Sequence, residues 1–212
     1  ALGRDVRAQV LDLRRPDILD CLGSELERAP VGLLINNAAR GVVEPFFQRS
    51  LEEHLEDLAL NARAPLVLSH HLGTQMQAQG RGAILFVSSA SALVGTPYVA
   101  HYAATKAYDL ALGEGLHAEL EGTGVDVLSV VLGQVRTPGW ENEGARPATG
   151  VSVMEPAAVA EEALEALLQR RGSRIIGRGN RAAYQILRRL LPRRLASRLV
   201  GSTMRRIFAH KL

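Results

Sequence analysis

The chain has 212 residues, of which 47% are hydrophobic and 22% charged, and it contains a single cysteine. This length and composition are typical of one globular domain with a large buried core. The single cysteine excludes an internal disulfide and favours a reducing, cytoplasmic location. Charge is unevenly distributed, because all 22 acidic residues lie at or before Glu165, whereas 13 of the 25 basic residues follow it. The body therefore carries a net charge of −10, and the C-terminal segment is strongly basic.

Apolar runs alternate with amphipathic helical segments along the chain, which predicts a parallel α/β sheet. The predicted strands cover residues 6–11, 31–35, 82–87, 125–131 and 174–176. The predicted helices cover residues 17–28, 50 to beyond 61 with a bend near Pro65, 101–121 and 156–170. Ser50 and Glu53 have the spacing of a capping box at the start of the second helix.

The most informative pattern is Tyr102 and Lys106, four residues apart on a predicted helix, with Ser89 thirteen residues upstream of the tyrosine. Side chains at this spacing share a helix face, so we expect the Lys106 ammonium to lower the pKa of the Tyr102 phenol. Such a phenol exchanges a proton with a carbonyl or an alcohol, as general acid–base catalysis requires. Alone, the pair also fits a surface lysine beside a half-buried tyrosine. Ser88 is the alternative serine, but the spacing to Tyr102 favours Ser89.

Small and polar residues follow the other predicted strands. Asn36, Asn37, Ala38 and Ala39 follow one strand, and the loop 132–138 follows another. Open α/β sheets bind ligands at the carboxyl ends of their strands, so we expect these segments to line one site. Asn61 lies in the middle of a predicted helix, where asparagine is a poor helix former. It either belongs to that site or satisfies a carbonyl freed by the helix bend near Pro65.

With these motifs the chain resembles the classical short-chain dehydrogenase/reductase family, from residue 6 to about residue 179. The resemblance implies a Rossmann-like, three-layer parallel sheet, NAD or NADP as cofactor, and hydride transfer between the nicotinamide and a carbonyl or alcohol. It implies that Tyr102 is the acid/base, that Ser89 orients the substrate, and that Lys106 binds the nicotinamide ribose and tunes Tyr102. Asn61 would support a water-linked proton relay. The cofactor-binding residues that it implies are Asp12, Leu13, Asn36, Ala38, Ala39, Tyr102, Lys106, Gly133, Val135 and Thr137.

The sequence departs from the family pattern at three places. Ala39 stands where the family usually has glycine, and Leu132 stands where it has proline. Nothing before residue 6 can form the first strand, the glycine-rich turn that holds the pyrophosphate, or the second strand. The resemblance therefore implies an N-terminally truncated domain; a genuinely short protein with a degraded cofactor site is the alternative. Without those two strands, residues 6–11 and 31–35 should either stand apart or pair directly. Asp12 would contact the adenine, but it could also cap a helix.

Residues 1–179 are predicted to form the Rossmann-like domain, and residues 180–212 a basic amphipathic helical extension. We expect the extension to pack on the acidic body and wall the substrate pocket. Contact with an anionic membrane surface, or with an acidic acyl carrier or phosphorylated substrate, is the alternative. Nucleic-acid binding is not expected, because no stacking aromatics are interleaved with the arginines. The scattered histidines predict no metal site.

Together these features predict an NAD(P)-dependent oxidoreductase, with NADP favoured, that acts on an apolar or lipid-like carbonyl or alcohol. We expect it to be cytoplasmic or peripheral at the membrane. A homo-oligomer is predicted through the helix 102–121, in which Gly113 and Gly115 would permit close packing. The alternative is a catalytically inactive relative that serves as a membrane-surface or partner-binding module.

Overall fold

The computed structural model describes residues 6–142, 144, 146–148 and 150–209. The strands within these residues form one parallel sheet in chain order: β1 (Leu33–Asn36), β2 (Gly82–Ser89), β3 (Val125–Leu132) and β4 (Ser173–Ile175). Gly82 pairs with Val125 and Ser89 with Leu132, so the two central strands are in register along their whole length. All four carboxyl ends consequently meet at one edge of the sheet, and the predicted α/β Rossmann-like class is confirmed.

Helices connect the strands and follow the last of them. They are α1 (Ile18–Leu26), α2 (Leu51–Leu58), α3 (Ala64–Gln79), α4 (Ala100–Glu119), α5 (Pro138–Asn142), α6 (Pro156–Leu168), α7 (Arg178–Arg189) and α8 (Arg193–Ile207). The predicted capping box is present at the start of α2, where Ser50 and Glu53 exchange two hydrogen bonds. A π-helical turn, Ala59–Arg63, links α2 to α3 and contains Asn61.

The core lies on both faces of the two central strands, as expected for a parallel sheet covered by helices. On one face, Ile84 and Phe86 of β2 pack with Met76 of α3 and with α4. On the other face, Leu85 of β2 packs with Leu128 of β3 and with α6. Alternation of side chains along each strand therefore produces three layers, with the sheet in the middle.

Two predictions about the N-terminal strands are wrong. Residues 6–11 form no strand, and the side chains of Val6 and Val10 are fully exposed. The apolar run is there, but within the described residues it has no neighbouring strand with which to pair. Residues 31–35 were predicted to be a buried strand; the strand forms as β1, but within the described residues it pairs on one side only, with β2. Leu33 and Ile35 are consequently 37% and 50% exposed.

The basic extension folds as α7 and α8, and the predicted boundary at residue 179 falls within the first turn of α7. Arg181 of α7 forms a 2.6 Å ion pair with Glu162 of α6. In α8, Ser197 Oγ donates to the Gly95 carbonyl at 2.7 Å, and Gly201 packs against Pro97. Both helices thus contact the body of the protein. Across the described residues, no helix combines the length and apolarity that crossing a membrane demands.

Candidate active site

The carboxyl ends of the strands bring the predicted site residues to one edge of the sheet. β2 ends with Ser88 and Ser89, whose side chains point to opposite faces. The Ser88 hydroxyl is buried and donates to the Lys106 carbonyl at 2.7 Å, so Ser88 fastens α4 to the sheet. The Ser89 Oγ accepts from the Ser91 amide and from the Ser91 hydroxyl, at 3.3 and 3.0 Å. Ser89 also acts on the Tyr102 phenol and lowers the pKa of that phenol.

Tyr102 lies in the first turn of α4, with its ring covered by the loop that follows β1. A Cβ on Gly41 would stand 3.0 Å from the Tyr102 ring, so the glycine lets this loop pass over the ring without displacing it. Burial raises the pKa of the Tyr102 phenol; the bond from Ser89 lowers this pKa, and the charge of Asp109 raises it further. The expectation that the pKa is lowered is therefore wrong for this structure, because desolvation dominates.

Lys106 is buried beneath Tyr102 in the next turn of α4, and its ammonium already has two partners. Nζ donates to the Val87 carbonyl at 2.9 Å and to Asp109 Oδ2 at 3.0 Å. The side chains of Lys106 and Asp109 are 3% and 1% exposed. Sequence reasoning missed Asp109, although its spacing of three residues from Lys106 places both side chains on one helix face. An ammonium has three N–H donors, so one remains for a ligand.

Asn61 is fully buried, and its side chain is occupied by structural hydrogen bonds. Its Oδ1 accepts from the Arg40 amide, and its Nδ2 donates to the Arg40 carbonyl and to Thr105 Oγ1. Both amide hydrogens are thereby used, and the side chain has no donor left for a proton relay. Asn61 instead ties the turn after β1 to α4, one residue before Lys106. The carbonyl that it satisfies belongs to Arg40, not to the bent helix.

An ion cluster that the sequence did not reveal supports the same turn. Asp57 is 2% exposed and binds two arginines, Arg40 at 2.5 Å and Arg49 at 2.6 Å. Arg40 also reaches Glu56 at 3.3 Å. An aspartate in a helix of alternating acidic and apolar residues gives no sequence signal of burial. The cluster anchors the turn that covers Tyr102 to α2.

The residues predicted to bind a nicotinamide cofactor are only partly placed to do so. Ala38 and Ala39, which follow β1, are exposed and have small side chains. Asn36 is buried, and its Nδ2 donates to Ser69 Oγ at 2.9 Å. These residues and the third donor of Lys106 fit the flat, polar nicotinamide end of such a molecule.

At the other end of the predicted cofactor site, the Asp12 carboxylate is held by the amide and guanidinium of Arg14, which lower its pKa to about 2. Asp12 does not cap a helix, because α1 begins at Ile18 after Asp17. Leu13 is half-buried beside it.

The loop after β3 is held by the first tail helix, a contact that sequence reasoning did not locate. Asn180 of α7 is fully buried. Its Oδ1 accepts from the Ser152 backbone N–H at 2.8 Å, and its Nδ2 donates to the Ser152 carbonyl at 3.1 Å. Gly133 faces Asn180 and the hydroxyl of Tyr184, and a Cβ there would lie 3.0 Å from the Asn180 amide.

Two other residues of this loop were predicted to bind the cofactor. Val135 forms a bridge with Met154, and Thr137 Oγ1 accepts from the Trp140 amide at 3.1 Å. The indole N–H of Trp140 is buried without a hydrogen-bond partner in the described structure. Arg136 lies over the indole ring, 5.6 Å from its centre.

Comparison with known proteins agrees with this geometry. A curated relative, the 7β-hydroxysteroid dehydrogenase of Clostridium sardiniense, is 26% identical over 166 residues, which cover 78% of this chain and 64% of the relative. A solved structure of a 7β-hydroxysteroid dehydrogenase superposes with a TM-score of 0.79 at 26% identity, over 89% of this chain and 73% of the other. A short-chain dehydrogenase from Sphingobium yanoikuyae, solved with NADPH, gives a TM-score of 0.71 at 29% identity, over 82% of this chain and 69% of the other.

The match to the Clostridium enzyme leaves about a third of that relative's length without a counterpart in this chain. The sequence profile described as short chain dehydrogenase matches residues 1–148, which is more than half of the chain. The chain therefore belongs to the short-chain dehydrogenase family.

Proposed function

We propose that this protein is an NAD(P)-dependent oxidoreductase that interconverts a carbonyl and an alcohol. The observation that carries the proposal is the meeting of Ser89, at the carboxyl end of β2, with Tyr102 and Lys106 in the first two turns of α4, where Lys106 Nζ donates to the Val87 carbonyl of β2. The cofactor in this proposal is NAD or NADP, with NADP kept as the favoured one, and solved neighbours include complexes with NADPH and with NADH. When bound, the reduced cofactor would supply the hydride that the carbonyl carbon accepts, and the oxidised cofactor would accept the hydride that the alcohol carbon gives up.

The side chains of the site handle the proton and the orientation of the substrate. Burial raises the pKa of the Tyr102 phenol, so Tyr102 is protonated at neutral pH and carries the proton that a carbonyl oxygen would receive. Ser89 is fixed by Ser91 and presents its hydrogen at the same place, so it can orient that oxygen. Asn61 is reassigned from a relay residue to a positioning residue, because it fixes the turn and the helix around the phenol.

We further propose an apolar substrate of steroid-like size. The similarity to hydroxysteroid dehydrogenases supports this, and so does the packing of α7 and α8 beside the site. Burial alone raises the pKa of Tyr184 to about 12, which indicates apolar surroundings for this α7 side chain. The tail would then wall the substrate pocket. A cytoplasmic location belongs to the same proposal and is favoured by the lone, unpaired Cys21.

Cofactor titration tests the proposal first. Calorimetry with NADPH and NADH in parallel should give micromolar binding of at least one of them. Turnover of a hydroxysteroid and of its ketone should then fall about 10²- to 10⁴-fold in Tyr102→Phe, with cofactor binding kept. Tyr108→Phe, an exposed tyrosine on the same helix, is the matched control and should keep turnover. A folded chain that binds neither cofactor would contradict the proposal.

We also propose self-association through the outer face that α2, α3 and α4 share. Leu55, Leu58 and Leu66 are 54%, 44% and 42% exposed there. A cleft of about 420 Å³ lies between Leu58, Leu66 and Ala104. Sedimentation velocity should show a dimer or larger species that Leu66→Asp dissociates. Gly113 does not serve this interface, because it is buried and faces Ser129 and Phe86 of the sheet.

A second candidate function is a membrane-surface module, and the corner between α7 and α8 favours it. Leu190 is 73% exposed and lies between Arg189 and Arg193, both exposed. Basic residues around an exposed leucine suit an anionic lipid surface. Co-sedimentation with vesicles that contain phosphatidylglycerol, but not with phosphatidylcholine alone, would support this function. Leu190→Asp should abolish it, whereas Leu168→Asp, an equally exposed leucine on α6, should not. Vesicle binding without cofactor binding would favour this candidate over the enzyme.

A further inference from the structure

Lys106 and Asp109 form an ion pair that is almost completely shielded from water. Lys106 Nζ lies 3.0 Å from Asp109 Oδ2, and the two side chains are 3% and 1% exposed. An ammonium buried this deeply loses its hydration, and only a close counter-charge with hydrogen bonds offsets that loss. The Val87 carbonyl supplies one hydrogen bond, but Asp109 alone supplies the charge.

Packing does not explain why a carboxylate lies at this position. Asp109 Oδ1 is buried and has no hydrogen-bond partner within the described residues, which is costly for a charged oxygen. Burial raises the pKa of Asp109, and Lys106 lowers it through charge and hydrogen bonding. An apolar residue at position 109 would avoid the unpaired oxygen, but it would leave Lys106 buried without a counter-ion. The carboxylate is therefore best explained by what it does to Lys106.

We propose that Asp109 is a positioning residue that holds the Lys106 ammonium in one orientation against the Val87 carbonyl. The role of Lys106 in catalysis rests on the proposed function; the ion pair and its test do not. With Oδ2 and the Val87 carbonyl each binding one N–H, the third N–H points in a fixed direction. The Lys106 side chain is thereby held in one rotamer. The direction of the N–H that it offers to a ligand is fixed before the ligand binds.

The negative charge of Asp109 also acts on the phenols of α4. It adds to the rise in the pKa of Tyr102 and of Tyr108, for which burial is the larger cause. Among the groups of the described residues, Lys106 is the charge that acts on Asp109, and Ser89 of β2 is the other polar side chain that acts on Tyr102. Tyr184 of α7, packed near Leu110 of α4, has its pKa raised by burial alone. Asp109 therefore helps to keep Tyr102 protonated.

The scarcity of lysine in this chain makes the pair measurable. The chain contains only two lysines, Lys106 and Lys211. Protein labelled with ¹⁵N-lysine should give a Lys106 ammonium signal that exchanges slowly with water, and Lys211→Arg assigns it by removing the other signal. In Asp109→Asn the Lys106 signal should shift and exchange rapidly. Asp126→Asn, the same change at a partly exposed aspartate on β3, should leave it unaltered.

An alkaline titration separates positioning from a merely structural role. In Asp109→Asn the phenolate absorbance of Tyr102, identified by difference from Tyr102→Phe, should develop at lower pH than in the wild type. Loosened packing would also lower this pKa by hydrating the phenol, so Asp109→Glu, which keeps the charge, is the control and should keep the wild-type titration. A folded Asp109→Asn protein with an unchanged Lys106 signal and an unchanged Tyr102 titration would overturn the proposal.

Wild-type protein keeps the proposal falsifiable if Asp109→Asn does not fold. Rapid exchange of the Lys106 ammonium in the wild type would exclude a held ion pair. Asp109→Glu retains the charge and should retain a slowly exchanging Lys106 signal. These measurements need no cofactor and no substrate. Failure to bind NAD(P) would therefore count against the proposed function alone, and a fast-exchanging Lys106 would count against the positioning role alone.

Discussion

Asn61 holds the Arg40 peptide backbone by both its polar groups, accepting from the N–H and donating to the C=O at 2.8 Å each. Its third hydrogen bond, to Thr105 Oγ1 at 3.2 Å, joins this turn to α4. The turn that follows β1 and the helix that carries Tyr102 are thus fixed relative to each other by one buried amide.

Replacing Asn61 with alanine should be strongly destabilising. The Arg40 amide and carbonyl would lose their partner in a buried place, so we expect the free energy of unfolding to fall by roughly 2–4 kcal/mol. Urea denaturation measures this. Asn142→Ala removes an exposed amide at the end of α5 and should change stability by less than about 0.5 kcal/mol. Equal effects of the two changes would show that the hydrogen bonds of Asn61 contribute nothing to the free energy of unfolding.

Two glycines on α4 should respond in opposite directions to alanine. A Cβ on Gly113 would overlap Ser129 Oγ and lie 2.9 Å from the Phe86 ring. Gly113→Ala should therefore lower the free energy of unfolding by about 1–3 kcal/mol. Gly115 is exposed with nothing near its Cβ position, and Gly115→Ala should stabilise by about 0.5–1 kcal/mol through helix propensity. Thermal unfolding of both variants checks the pair, and stabilisation by Gly113→Ala would contradict the close contact between α4 and the sheet.

The adjacent serines at the end of β2 should separate stability from chemistry. Ser88→Ala removes the buried hydrogen bond to the Lys106 carbonyl and should cost about 1 kcal/mol of stability or somewhat more. Ser89→Ala removes the hydrogen bond that lowers the pKa of Tyr102, so this phenol should titrate at higher pH with little loss of stability. Alkaline titration and urea denaturation of both variants give the two readouts. A Tyr102 titration that is the same in Ser89→Ala and in wild type would refute the assignment of the bond.

The link between the tail and the loop after β3 predicts a local change in dynamics. Asn180→Ala removes both hydrogen bonds to Ser152, so amide hydrogens around Ser152 should exchange faster than in the wild type. Hydrogen–deuterium exchange with peptide resolution measures this directly. Gln169→Ala, at an exposed amide after α6, is the control and should leave that exchange unchanged. Unaltered exchange in Asn180→Ala would mean that other contacts hold the loop.

Acid should destabilise the protein partly through His101. Burial, and then the nearby charge of His54, lower the pKa of His101 in the folded state. The unfolded chain then binds more protons than the folded one below about pH 6.5, so stability falls as the pH decreases through that range. His101→Gln should flatten the decline in urea midpoint over this range. Replacing the exposed His70 with glutamine should leave the slope as it is, and an unchanged slope in His101→Gln would exclude this cause.

Local patterns predicted most of the fold, because strands and helices with strong periodicity form wherever partners exist. The capping box at Ser50 and the strands that became β2 and β3 follow from spacing alone. The strand predicted at residues 6–11 does not form, because an apolar run becomes a strand only beside another strand. The contacts of Asn61, which lies in the π-helical turn, could not be anticipated, since its side chain binds Arg40, 21 residues away in sequence.

The site was predictable as a set of residues but not as a network. Ser89, Tyr102 and Lys106 stand out because their spacing is informative, whereas Asp109 becomes informative only once it is known to be buried beside Lys106. The prediction that the pKa of Tyr102 is lowered was wrong for the same reason. Desolvation depends on what covers the ring, and the covering loop at Gly41 is distant in sequence.

The half-paired strand β1 has a consequence for any solution experiment on this chain. Within the described residues no strand lies beside its outer edge, next to the exposed Leu33 and Ile35, and open edges of this kind are where intermolecular sheets and aggregates grow. Association measured at high concentration would then report both side-by-side growth along β1 and the proposed contact of helix faces. A lysine at position 35 suppresses only the first, so the Ile35→Lys protein is the background in which assembly state should be measured.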